Sequence, residues 1–269
     1  MLSFLTAPAG AGPLALTRVL IGLAALIKGA TFLPQLLGLS HANTLVVPVF
    51  TWMPEPSQAL LVVISVIWLM ASGMFMLGWR VHLSGSVLAA TLAFTLLLDQ
   101  QTYSNHLYLM AVLVALATLA DAGAALPFPR GSPTRNVPLW GPLLIMSQVS
   151  VVYLFAAATK INRGFLSGQV ILDTMTDGVI SPPSLLTTPG AGRTLAVLTI
   201  ATELFLAIGL WIRATRIPAV LVGAALHGST MLFLGPIAEL FVFTLLMTSA
   251  YPLYFLLANL TKRDVDPQV

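Results

Sequence analysis

The run LYLMAVLVALATLA, Leu107 to Ala120, decides the fold. It does not alternate apolar and polar residues, as the strand of a membrane barrel would. A stretch this apolar cannot leave its backbone amides and carbonyls to water. In lipid those groups must be satisfied within the segment, so it forms a helix.

The rest of the chain has the same character. Of 269 residues, 58% are hydrophobic and 8% are charged, and mean hydropathy is +0.94. Soluble domains carry about a quarter charged residues, so an ordinary soluble globule is excluded. The formal net charge is +3 with no dense basic cluster, which excludes nucleic acid as a partner. Cysteine is absent, which excludes disulfides, thiolate nucleophiles and cysteine-ligated metals.

Eight segments approach the roughly 20 apolar residues that a span requires. They are Leu14–Leu37, Gln58–Leu77, Val81–Leu98, His106–Ala122, Leu139–Thr159, Thr194–Ile212, Ile217–Leu234 and Ile237–Leu260. The expectation is an all-α, polytopic membrane helix bundle of about eight transmembrane helices. Residues 1–13 would be a cytoplasmic segment, 14–260 a single transmembrane domain with an exterior loop at 161–193, and 261–269 a cytoplasmic tail. The start lacks the basic residues of a cleaved signal peptide, so the first span reads as a signal anchor.

Charge sets the orientation. Arg80, Arg130, Arg135, Arg213, Arg216, Lys262 and Arg263 fall on one side, and the connections around 38–57, 99–105 and 235–236 carry no cation. Both termini are then cytoplasmic by the positive-inside rule, in what reads as a bacterial plasma membrane. The loop after Lys160 is the exception, with Arg163, Arg193, Asp173 and Asp177. Its segment FLSGQVILDTM could lie in the interface, and SPPSLLTTPGAG cannot continue a helix. The other exterior loop, VVPVFTWMPEPS, reads as an interfacial cap.

Ionisable groups within spans face the bundle interior or a wet cavity. Counting helical rise places Lys160, Asn105, His106, Asp99 and Glu239 at the exterior level, with Lys28 in the outer half of the first span. Glu203 and His227 fall near the midplane, where they could pair. These positions imply a pocket open to the outside or the outer leaflet. Each residue also has a plainer reading: Lys160 as a snorkelling helix end, His106 as an N-terminal or core histidine, His227 as an interhelical hydrogen-bonding group. Arg80, Arg213 and Arg216 read as topology signals. The histidines at 41, 82, 106 and 227 share no metal-ligand spacing, so no metal is expected.

Three motifs together carry a family resemblance. The first is YSNHLYLMAVLVALATLADAG, with Asn105 and His106 opening a span. The second is YLFAAATKINRGFLSG, with Lys160, an aromatic five positions on at Phe165 and a glycine at Gly168. The third runs from ELFLAIGLWIRATR through the His227–Gly228 helix to YPLYF. In order and spacing they resemble the membrane part of vitamin K-dependent γ-carboxylase and its bacterial relatives, the HTTM (horizontally transferred transmembrane) proteins. The resemblance spans 14–260, with its specific motifs in 103–255.

The resemblance implies a membrane enzyme, carboxylase-like or quinol-oxidising (epoxidase-type), acting on a reduced, vitamin K-like quinone or similar lipid-soluble substrate. Lys160 would be the base and His106 would orient or stabilise a quinol oxygen. Tyr103, Asn105, Tyr153, Glu203 and His227 would contact the substrate. A lysine taken out of water holds its proton less firmly and can act as a base. The chain departs from the family at Thr159, Phe165 and Ser167, where a second lysine, a tryptophan and an acidic residue are usual. It also ends soon after the last span, without the carboxylase's large lumenal portion, which points away from γ-carboxylation of a protein. The alternative is a non-catalytic accessory protein for maturation or export of a secreted peptide, working with a peptide or membrane partner. A transporter is disfavoured, because the polar residues stop near the middle of the membrane.

Overall fold

A computed structural model describes residues 2–41, 45, 47, 50, 52–128, 134–175, 178–235 and 237–256. Arg130, Asp177, Leu257–Leu260 of the last expected span, and the tail with Lys262 and Arg263 lie outside the described residues. The protein is helical, and among the described residues seven helices are long and apolar enough to cross a membrane. Contacts divide the chain into two compact units, residues 1–145 and 146–269.

The first unit is built on α1 (Gly12–Gly38), α2 (Gln58–Leu77), α3 (Val81–Leu98) and α4 (Asn105–Leu119). A short antiparallel ribbon joins Pro8–Gly10 to Asn136–Pro138, a detail the helical reading lacked. Ser57 and Ser104 cap α2 and α4, accepting from the amides of Leu60 and Leu107 as serine does at helix starts. On α2, Val62, Val63, Val66, Ile67 and Met70 are all exposed. A helix apolar on its outer face as well as its inner one belongs in lipid.

Small residues draw α1 and α2 together. Gly22 lies against Met76 and Gly29 against Trp68, and the Trp68 indole donates to the Ala25 carbonyl (2.9 Å). Such glycines allow the close backbone approach that membrane helices use. The fourth expected span proves short. Helix α4 has 15 residues and is about 22 Å long, against a hydrocarbon core of about 30 Å. It stops because Asp121 takes a left-handed conformation (φ 57°), held by Arg135 at 3.0 Å.

Two polar groups of this unit are structural. Arg18, almost fully buried, donates to the carbonyls of Ala122, Ala125 and Leu126, stabilising the chain after α4. Asp99, one of the site candidates, instead accepts from the amides of Gln101 (2.7 Å) and Leu45 (2.9 Å). The Lys28 ammonium lies over the Phe32 ring, 4.6 Å from its centroid.

The helix α5 (Trp140–Lys160) runs into the second unit, which continues with α6 (Pro189–Gly209), α7 (Arg216–Phe233) and α8 (Ile237–Ser249). Helix α6 begins five residues before the expected Thr194 because Thr188 accepts from the Ala191 amide and Pro189 opens the first turn. Arg216 is more than a topology signal. It is buried and donates to the Leu210 and Trp211 carbonyls at the end of α6. Beyond α8 a turn at Tyr251–Tyr254 returns to α5, where the Tyr254 hydroxyl donates to the Met146 carbonyl (2.9 Å).

Candidate functional site

After Lys160 the chain leaves α5 through Asn162, whose side chain accepts from the Phe165 amide (2.9 Å) and starts the short helix Arg163–Leu166. Gly168 then turns the chain with φ 80°, a conformation that suits glycine. A β-carbon there would sit 2.2 Å from the Gly192 carbonyl carbon and 2.4 Å from the Arg193 amide. This contact lays the helix Gln169–Met175 along α6. The segment read as an interfacial piece therefore forms a wall: Val170, Ile171, Thr174 and Met175 all line a cavity.

That cavity has a volume of about 430 Å³ and belongs to the second unit. Small-molecule sites run from about 300 to 1,000 Å³. Its walls are mostly aliphatic and aromatic, from Val152, Leu195, Leu226, Phe233, Leu240 and Phe243 among others. The polar side chains facing it include Lys160, Glu203, Tyr153 and His227.

Lys160 and Glu203 form one polar group. The lysine Nζ donates to both carboxylate oxygens, at 2.7 and 3.0 Å, and to the Ala156 carbonyl at 3.3 Å. The Lys160 side chain is 28% exposed and that of Glu203 10%. The Phe165 ring lies 5.9 Å from the ammonium, so the aromatic five positions after the lysine faces it.

Tyr153 and His227 form the other. The Tyr153 hydroxyl is 2.8 Å from His227 Nε2 and 2.7 Å from the Tyr251 hydroxyl. Phe243 meets the imidazole edge-on at 5.8 Å. Tyr251 reaches this position because α7 carries Gly223, where a β-carbon would lie 2.1 Å from its hydroxyl oxygen. Tyr153 is seven residues before Lys160, two helical turns away on one face, and His227 is one turn beyond Gly223. A further hydrogen-bonded set, Trp211 to Ser150 (2.7 Å) and Ser150 with Tyr254 (3.0 Å), ties α5 to α6 and the last turn.

Four of the expected site residues thus meet in one cavity, but one expected pairing fails. Glu203 does not pair with His227; it takes Lys160, and the histidine takes Tyr153. Asn105 and His106 open α4 in the first unit, and Tyr103 lies just before its Ser104 cap. There the Tyr103 hydroxyl donates to Asn105 Oδ1 (3.1 Å), and Tyr103 borders an apolar groove with Ala89, Ala93, Tyr108 and Val112. Tyr251 was missed. Its signal was a hydroxyl-bearing ring within the last apolar span, seven residues after Thr244.

The family model described as the HTTM domain matches residues 7–258. The chain belongs to the HTTM family. The match takes in α1 to α8, so the Lys160 cavity is part of the HTTM domain. No solved structure matches the chain. The HTTM domain is associated with vitamin K-dependent carboxylase-like membrane proteins.

Proposed function

We propose that this HTTM protein is a membrane enzyme that binds a quinol or similar lipid-soluble substrate in the Lys160 cavity and uses Lys160 as the base. The observation that carries this reading is a paired amine and carboxylate set into a mostly apolar cavity. An apolar wall favours a substrate that partitions into lipid, and the amine supplies a proton acceptor where a hydroxyl would be met. When the shared proton resides on Glu203, the Lys160 amine is free to take one from a substrate hydroxyl. Phe165 and Phe243 offer faces for an aromatic ring. The reading places the cavity toward the exterior, with both termini cytoplasmic, on the strength of the charge asymmetry between connections.

The experiment is lipid extraction of the protein purified in nanodiscs, followed by mass spectrometry. The expected result is a quinone at near-stoichiometric amount in the wild type, and its loss after Ala156→Phe, which fills the cavity beside Lys160. Wild-type protein carrying no quinone after incubation with excess menaquinone would overturn the reading. An accessory role would instead yield a co-purifying peptide or protein with the cavity empty of quinone.

A further inference from the structure

The hydrogens of the Tyr251–Tyr153–His227 chain can be placed by counting donors. Three groups share two contacts: Tyr251 hydroxyl to Tyr153 hydroxyl, and Tyr153 hydroxyl to His227 Nε2. Among the described residues the Tyr251 hydroxyl meets no other polar group, and no group bonds Nδ1 of His227. Both tyrosines are buried, Tyr153 at 2% and Tyr251 at 7% exposure. A neutral imidazole donates from one nitrogen and accepts at the other.

Two arrangements compete. If Nε2 carries the proton it donates to Tyr153, which then donates to Tyr251, and the Tyr251 proton is stranded. If Nε2 accepts, Tyr251 donates to Tyr153, Tyr153 donates to Nε2, and every buried hydroxyl proton is used. A buried donor without a partner is destabilising, so the second arrangement wins. The histidine proton must then sit on Nδ1, on a ring that lines the cavity. A doubly protonated ring would place an uncompensated charge in an apolar wall, which is costlier still.

We propose that Tyr153 is a positioning residue that fixes His227 in the Nδ1–H tautomer, so that the imidazole offers the cavity a hydrogen-bond donor. A ligand oxygen seated against His227 is met as an acceptor, a carbonyl or an alkoxide, whereas Lys160 and Glu203 meet the part that exchanges a proton. The assignment rests on the hydrogen-bond chain alone and holds whichever apolar ligand the cavity takes.

The test is a long-range nitrogen–proton correlation spectrum of protein labelled with nitrogen-15 in its four histidines, with His227 assigned by His227→Gln. The expected wild-type pattern is protonated Nδ1 and bare Nε2. Tyr153→Phe removes the donor to Nε2 and moves the proton wholly or partly to Nε2. Tyr251→Phe keeps Nδ1–H, because Tyr153 still has only the histidine to donate to. A structural role for Tyr153 would leave the tautomer unmoved. A wild-type ring protonated at Nε2 or at both nitrogens overturns the proposal, even if the Tyr153 variant fails to fold. So does an unchanged tautomer in a folded Tyr153→Phe protein.

Discussion

Removing the lysine and keeping the glutamate should harm this protein more than removing both. In Lys160→Met the Glu203 carboxylate, with a side chain 10% exposed, loses the one group among the described residues that hydrogen-bonds it. Breaking a fully buried ion pair costs about 3–5 kcal/mol. Here the lysine side chain is 28% exposed, so water reaching the carboxylate reduces the penalty to about 2–3 kcal/mol. Glu203→Leu strands an ammonium that can turn toward water, at a cost of about 1–2 kcal/mol. The double variant Lys160→Met/Glu203→Leu replaces the pair by apolar groups of similar volume and should lie within about 1 kcal/mol of wild type. For a chain of this size, each kcal/mol moves Tm by about 2–4 °C. Thermal unfolding of the four proteins in one detergent therefore should show the lysine variant falling about 4–12 °C while the double variant recovers most of that loss. If the double variant fell by the sum of the two single losses, the pair would not be coupled and the polar end of the cavity would be misdescribed.

Gly223→Ala should lower Tm by driving a β-carbon into the Tyr251 hydroxyl, 2.1 Å away. Overpacking of this kind costs about 1–3 kcal/mol, and adding Tyr251→Phe should restore part of it. Gly168→Ala combines a φ of 80° with a contact of 2.2 Å to the Gly192 backbone. It should loosen the Gln169–Met175 wall, read as faster hydrogen exchange or proteolysis in 163–175. Arg18→Met leaves the carbonyls of Ala122, Ala125 and Leu126 without their donor, and a loss of about 3–5 kcal/mol should appear as poor yield or a lowered Tm.

The spans were legible because length and hydropathy report directly on lipid. Gln58–Leu77 and Val81–Leu98 agree with the expected bounds residue for residue. The errors fall where local chemistry overrides hydropathy. Thr188 and Pro189 start α6 early although Gly190 and Gly192 disfavour helix and Arg193 is charged. The left-handed Asp121 cuts α4 short although Ala120 and Ala122 are apolar. At the site, Lys160, Glu203, His227 and Tyr153 were found as polar groups in apolar helices. Their partners were not, since counting rise along a helix gives depth but not which way each helix is turned. Counting assigns Glu203 and His227 to one level, yet the carboxylate meets Lys160 at the end of α5 and the imidazole meets Tyr153 two turns earlier. Arg18 and Asp99 show the converse, because an ionised side chain within or at the end of a span can serve backbone groups alone.

The central claim is that the cavity takes a quinol through the Lys160–Glu203 pair, and anaerobic calorimetric titration with menadiol tests it most directly. The partners are the wild type and the Lys160→Met/Glu203→Leu protein, which keeps its fold by the ion-pair reasoning above. The account predicts saturable binding to the wild type, with an enthalpy independent of the buffer's ionisation heat, because the proton passes from the quinol to Lys160 within the site and none is exchanged with solvent. It predicts binding at least tenfold weaker in the double variant, which has neither the amine nor the carboxylate to meet the quinol hydroxyl. Equal affinity and equal enthalpy in the two proteins would contradict it.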